Sequence, residues 1–190
     1  MDQFSRKKNH EGNIDSNSNL ILEHETLLLI IDMQEKLIAN ITGSQRLIFN
    51  IKKLIDTCNL LNVHIAITEQ NPLKLGKTLE SIIDSKEYPI FEKMEFSGSQ
   101  NKNFIDYLKK YNFKNIIICG IESHICVLQT SIELLEKDLN ILIPRDAIGS
   151  RNEIDNDTAF LRLILSGAIA TTTESLICEL CKTSNRKEFR

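Results

Sequence analysis

Two runs in this chain, "LLLII" at Leu27 to Ile31 and "NIIICG" at Asn115 to Gly120, are apolar at every position, with no alternation. A strand with one wet face shows a period of two, so an unbroken apolar run implies cover on both faces, the condition met by parallel sheets sandwiched between helices. The rest of the chain keeps the same rhythm. Short apolar runs recur at "VHIAIT", "YPIFEK", "LNILIP" and "AIATTT", and each is separated from the next by a stretch with helical spacing. In "SQRLIFNIKKLIDTCNLLN", for example, Leu47, Ile48, Ile51, Leu54, Ile55 and Cys58 form one stripe while Lys52 and Lys53 fall outside it. Further helices are expected over "KTLESIID", "NKNFIDYLKKYN", "SHICVLQTSIELLEKD", "NEIDNDTAFLRLILSG" and "ESLICELCK". Strand alternating with helix is the signature of βαβ units. The expectation is a three-layer, doubly wound α/β fold around a six-stranded parallel sheet, in which Pro89 marks the "YPIFEK" strand as an edge strand or a brief one.

At 190 residues the chain has the size of one domain. No linker rich in Pro, Gly or Ser divides it, so residues 20–190 are expected to form one unit. The first nineteen residues, "MDQFSRKKNHEGNIDSNSN", are too polar to pack and read as a tail without the apolar core of a secretory signal. A net charge of −3, with no basic block, points away from nucleic acid. No stretch reaches the ~20 apolar residues of a membrane helix. A small-molecule partner is the remaining expectation. Five scattered cysteines, Cys58, Cys119, Cys126, Cys178 and Cys181, do not form a disulfide framework and suit a reducing, cytoplasmic setting.

Ligands of doubly wound sheets bind beyond the carboxyl ends of the strands. Three chemically capable groups fall there: Asp32 after the first strand, Lys93 after the third, and Cys126 in the first turn of the helix behind the fourth. A helix amino terminus and a nearby amine both favour thiolate over thiol, which predicts a depressed thiol pKa for Cys126. Asp32 then suits a proton carrier, and Lys93 would keep it ionised and aimed. Backbone amides between Gly120 and Cys126 could hold an oxyanion, each donor contributing roughly 3 kcal/mol in known acyl-transfer sites. Blander readings stand beside these: Asp32 as a turn or cap residue, Lys93 as a solvated lysine, and Cys126 as a small core residue. His124 lies two residues from Cys126, so on a helix the two side chains diverge; it is read as an entrance residue. The single "C-x-x-C" at Cys178 to Cys181 lacks a second ligand pair and reads as packing rather than a zinc site.

These residues carry a resemblance. The segments "LLLIIDMQEKLI", "FEKMEFSGS", "IIICGIESHICVLQTSIELLEKDLNILIPRDAIGSR" and, less closely, "TTTESLICEL" resemble the isochorismatase-like cysteine hydrolases, from Leu27 to Leu180. The resemblance implies a catalytic triad of Asp32, Lys93 and Cys126. It also implies a cis peptide between Ile121 and Glu122, with the amides of Glu122 and Cys126 forming the oxyanion hole, and assembly as a homo-oligomer. The metal-binding histidines of nicotinamidases have no counterpart in "ITEQNPLKLGKTLESI", and His64 alone does not make a metal site, so neither metal nor other cofactor is expected. The "TEQNP" stretch resembles the isochorismatase-domain-containing subgroup, which makes Gln70 a candidate substrate contact alongside His124. The function this implies is hydrolysis of a small amide through a thioester. The alternative is a catalytically weak, oligomeric binding or scaffold member. A dinucleotide-binding Rossmann domain is a third reading, against which "CGIESH" offers one glycine where the fingerprint needs three.

Overall fold

The computed structural model describes residues 20–83 and 87–187. The tail expected over residues 1–19, and Asp84 at the end of the "KTLESIID" segment, lie outside the described residues.

Among the described residues a sheet of seven strands runs through the middle. Strand β1 (Thr26–Ile31) lies between β2 (His64–Gln70) and β4 (Asn115–Ile121), both parallel to it. Beyond β2 comes β3 (Ile90–Lys93), and beyond β4 come β5 (Asn140–Pro144) and β7 (Ile169–Thr171), so the order is β3-β2-β1-β4-β5-β7. A two-residue strand, β6 (Ile148–Gly149), pairs with the end of β4. It is the strand the sequence did not announce, because two residues carry no periodicity.

The unbroken apolar runs are covered on both sides as expected. Leu28 and Ile30 of β1 point into one core with Ile117 and Cys119 of β4, beneath α2 (Ser44–Leu61) and α8 (Thr173–Cys181). Leu27, Leu29 and Ile31 point the other way with Ile116 and Ile118, beneath α5 (Lys102–Tyr111), α6 (Leu128–Leu135) and α7 (Glu153–Leu165). Adjacent residues thus serve opposite layers, which is the period of two hidden inside an all-apolar run. Every large side chain of β1 is fully buried, and each contributes about 1.5–3 kcal/mol relative to exposure.

Local signals set the helix limits. The stripe of α2 buries Leu47, Ile51, Leu54, Ile55, Cys58 and Leu61, and the helix stops at Asn62, which takes a left-handed conformation. Asn101 caps α5 by accepting from the Phe104 amide at 3.0 Å. The helix expected over "KTLESIID" is shorter, α4 (Glu80–Ile83). Its first residues are drawn away: Thr78 forms an antiparallel bridge with Gln34, and both its amide and hydroxyl donate to Glu69 Oε1 at 2.7 Å. Two single-turn helices, α1 (Glu35–Ile38) and α3 (Pro72–Leu75), occupy loops after β1 and β2. Among the described residues no helix is long and apolar enough to cross a membrane.

Strand order reverses direction between β1 and β4. Sheets of this kind bind ligands beyond the carboxyl ends of the strands at such a switch point, and the groups singled out in the sequence lie at those ends.

Candidate active site

Asp32 leaves β1 with a backbone φ of 53°, in the left-handed region that a non-glycine residue rarely occupies. Two hydrogen bonds from and to Thr68, at the end of β2, hold it there. The Asp32 amide donates to the Thr68 carbonyl at 3.1 Å, and the Thr68 hydroxyl donates to Asp32 Oδ1 at 2.8 Å. The other carboxylate oxygen, Oδ2, receives Lys93 Nζ at 2.7 Å, with both side chains wholly removed from solvent.

Lys93 ends β3 opposite Gln70 of β2. Its Nζ also donates to Gln70 Oε1 at 2.7 Å, while Gln70 Nε2 donates to the Met94 carbonyl at 2.8 Å. Both ends of the Gln70 amide are therefore committed to positioning Lys93 and the residue after it. Gln34 closes the arrangement by accepting from the Gln70 amide at 2.7 Å and donating to its carbonyl at 3.0 Å. Sequence reasoning missed Thr68 and Gln34. Thr68 had a usable signal, a polar residue ending an apolar strand, which is the criterion that had selected Asp32.

Cys126 arrives from the far side of the switch point. After β4 the chain does not enter an α-helix directly: Ser123–Val127 form a π-helical turn, and α6 follows. Such insertions recur at functional sites because they re-aim side chains. The approach requires Gly120, whose φ is 130° and where a Cβ atom would lie 2.1 Å from the Ile31 carbonyl oxygen. Cys126 is 4% exposed, and its thiol lies near enough to both Asp32 and Lys93 for their charges to act on it. The structure thus brings the carboxylate, the amine and the thiol together.

The electrostatic balance differs from the sequence expectation. Burial is the largest influence on the thiol and raises its pKa; the Asp32 carboxylate raises it further, and Lys93 pulls it back only in part. The predicted depressed pKa is therefore corrected: at neutral pH the resting sulfur carries its proton, beside a carboxylate placed to receive it. The lysine, the carboxylate and the helix terminus are visible in the sequence, whereas burial, which works against the charged form, is a property of the fold.

A second correction concerns the turn itself. No cis peptide bond occurs among the described residues, so the expected cis bond between Ile121 and Glu122 is absent. The chain reverses instead through Gly120 and through Glu122, which adopts φ 55°, ψ 56°. The Glu122 side chain is 8% exposed; Arg151 Nε reaches its Oε1 at 3.0 Å, while its Oε2 accepts no hydrogen bond and lies 3.6 Å from His124 Nδ1. Arg151 is thereby tied across β4 and β6 to the turn that carries the thiol. His124 is half-buried, and its Nδ1 also meets Ser150 Oγ at 3.0 Å. Its polar contacts run to Ser150 and Glu122 and not to the Asp32–Lys93 pair.

His64 lies at the opposite end of the sheet, first in β2, against the rings of Tyr107, Tyr111 and Phe113, with Tyr107 Oη 3.3 Å from its Nδ1. Of the two residues in "C-x-x-C", Cys181 is buried and Cys178 exposed. Beside β3, Asn71, Pro72, Leu73, Glu92, Lys93, Met94 and Glu95 border a depression of about 300 Å³.

A buried acid, amine and thiol meeting at the switch point of a doubly wound parallel sheet define a cysteine-centred site. The chain belongs to the isochorismatase family of hydrolases: residues 26–175 match the description "Isochorismatase domain". It is 35% identical over 176 residues, 90% of this chain and 85% of the relative, to isochorismatase family protein 1B of Dictyostelium discoideum. It is similar to a solved structure titled as MAR1 ribonuclease from Caenorhabditis elegans, at 37% identity and a TM-score of 0.84, covering 90% of this chain and 88% of that one. The YcaC gene product of Escherichia coli, titled an octameric hydrolase of unknown specificity, shares the fold at 20% identity and a TM-score of 0.84, covering 88% and 85%.

Proposed function

We propose that this protein is a cysteine hydrolase acting on the C–N bond of a small amide. One observation carries the reading: Asp32, Lys93 and Cys126, from three separate strand ends, converge, the first two as an ion pair and the thiol within reach of both charges. That arrangement suits acyl transfer better than any chemistry lacking a nucleophile.

As the substrate carbonyl approaches, Cys126 Sγ attacks its carbon and the thiol proton passes to Asp32. The amides of Glu122 and Cys126 take the oxyanion. Collapse of the tetrahedral species breaks the C–N bond, and Asp32 returns the proton to the departing nitrogen, leaving a thioester. Water then attacks the thioester and gives its proton to Asp32. Sulfur leaves, recovers that proton, and the acid product departs. Lys93, itself held by Gln70, balances the carboxylate at each stage, which explains why a raised resting pKa is compatible with catalysis: the charge on sulfur need exist only as the new bond forms. Each step uses groups of this chain and water.

His124 and the residues after β2 and β3 would meet the substrate at the entrance, and the protein would work as a homo-oligomer, as the octameric E. coli neighbour does. The C. elegans neighbour is named a ribonuclease, whereas this chain, at a net charge of −3, lacks the electrostatic footprint of an RNA binder. The test is ammonia release from a panel of small primary amides and carbamoyl compounds, with an RNA substrate in parallel. Turnover of a panel member by the native protein and its loss in Cys126→Ala support the reading. Full turnover by the variant, or RNA cleavage without amide turnover, overturns it.

A further inference from the structure

Helix α7 buries one face and leaves the opposite face apolar. Ala159 and Leu163 pack inward, whereas Ile154, Leu161 and Leu165 are 72%, 60% and 80% exposed. With Thr158, also exposed, they fall at 154, 158, 161 and 165. The intervals are four, three and four, a continuous stripe along one side of a helix. Ile169, on the edge strand β7 that follows, is 45% exposed. Solvent-facing helix surfaces carry isolated apolar residues as a matter of course; three large ones in register on the face away from the core form a seam without its other half.

The seam reads the same in both directions. Turned end for end, its intervals are still four, three and four, so an antiparallel copy sets Ile154 against Leu165 of the partner subunit and Leu161 against Thr158 of the partner subunit. The small polar Thr158 then lies beside the two-fold axis, where close approach is needed. Self-complementarity under a two-fold axis is the requirement for an isologous dimer.

Charge points to the same pairing. Arg162 and Asp155 each sit one position after a seam residue, on the same flank, and antiparallel packing brings equivalent flanks together. Arg162 has no charged side chain within its own helix at the positions four before or four after, which are Thr158 and Ser166. Among the described residues no hydrogen bond or ion pair engages its guanidinium. Asp155 is held by Asn152 Nδ2 at 2.8 Å, which leaves its charge unneutralised. Asp157, on the other flank, is already paired with Arg145 of its own chain.

We infer that the outer face of α7 is a homodimer surface on which two copies of this chain pack their α7 helices antiparallel, with Arg162 opposite the partner's Asp155. This rests on the reading of the protein as a homo-oligomer and deepens it by assigning one of its interfaces. The surface adjoins the proposed active site, because Arg151, two residues before α7, holds Glu122 in the turn that carries Cys126. Dimerisation would steady that segment from outside.

The experiment is sedimentation velocity of the full chain over a range of concentrations. Leu161→Asp is expected to reduce the native assembly to a smaller species, with its dimer Kd raised roughly a hundredfold because the residue occurs twice per interface. Arg162→Asp and Asp155→Arg are each expected to weaken association about tenfold, and the double exchange to restore it. Circular dichroism melts identify any variant that fails to fold, and the charge exchange decides the question even if Leu161→Asp is one of them. A native protein that is monomeric at every concentration overturns both the oligomer reading and the surface. Native oligomers left unchanged by Leu161→Asp and the single charge variants, or a double exchange that restores nothing, overturn the surface alone.

Discussion

Removing the amine from the buried pair is the most informative perturbation of the site. Lys93 Nζ and Asp32 Oδ2 are 2.7 Å apart with no solvent on either side chain, so at an effective dielectric of about 20 their attraction is on the order of 6 kcal/mol. Much of this is offset by the cost of taking both ions out of water, and replacing the whole pair is accordingly far cheaper than halving it. Lys93→Met strands the Asp32 charge beside the Thr68 hydroxyl and the Cys126 thiol, at a cost of about 3–5 kcal/mol. It also strips Gln70 Oε1 of its donor, a further cost of about 1–3 kcal/mol for a buried acceptor. Asp32→Asn strands the cation instead but leaves the Lys93–Gln70 bond in place, so it should cost less than Lys93→Met. In the double variant the stranded charge disappears and the residual penalty should fall well below the sum of the two. Urea unfolding of all four proteins at neutral pH gives the coupling energy directly, expected to exceed about 2 kcal/mol. Strictly additive losses, or a Lys93→Met cost under about 1 kcal/mol, would refute the picture of an interlocked, dry pair.

Two other consequences are open to measurement. Gly120→Ala places a methyl group where the Ile31 carbonyl oxygen stands and demands a φ hostile to alanine; it should destabilise the protein by more than about 3 kcal/mol in the same unfolding assay, and a loss under about 1 kcal/mol would contradict the close approach of β4 to β1. Three buried thiols, Cys58, Cys119 and Cys126, have pKa values raised above their ordinary 9.0, Cys58 to about 12, so the unfolded chain ionises first as pH rises. Their contribution is complete below pH 9.0 and should fall as pH rises above it, that of Cys58 until about 12, at up to about 1.4 kcal/mol per pH unit for each thiol; thermal melts that stay level from pH 9.0 to about 12 would contradict it.

What could be read from the sequence follows from what a local pattern can encode. An all-apolar run followed at once by Asp32, or by Gly120 and then Cys126, marks a covered strand and its carboxyl end, which is why the fold and the three convergent groups were legible. The brevity of β6 and the extra residue in the Ser123–Val127 turn leave no periodic trace. Gln70 illustrates a different limit. Its place at the end of β2 was visible, but its engagement with Lys93 and Met94 depends on the β2–β3 register, a property of two segments at once. Thiol ionisation was misjudged for a related reason: the charges near Cys126 could be enumerated along the chain, whereas its seclusion from water is a property of the assembled fold. The turn that delivers the thiol was expected to rely on an isomerised peptide and relies on two residues with positive φ.

The proposed mechanism turns on covalent acylation of the Cys126 sulfur during turnover. Rapid acid quench of the protein with an amide substrate found in the ammonia-release panel, followed by intact and peptide mass spectrometry, tests this at the atom concerned. A thioester intermediate gives a transient mass increase equal to the acyl group, confined to the peptide bearing Cys126, removable by hydroxylamine and missing from Cys126→Ala. Acylation of Cys178 instead, or steady turnover with no adduct on Cys126 at any quench time together with an active Cys126→Ala protein, would contradict it.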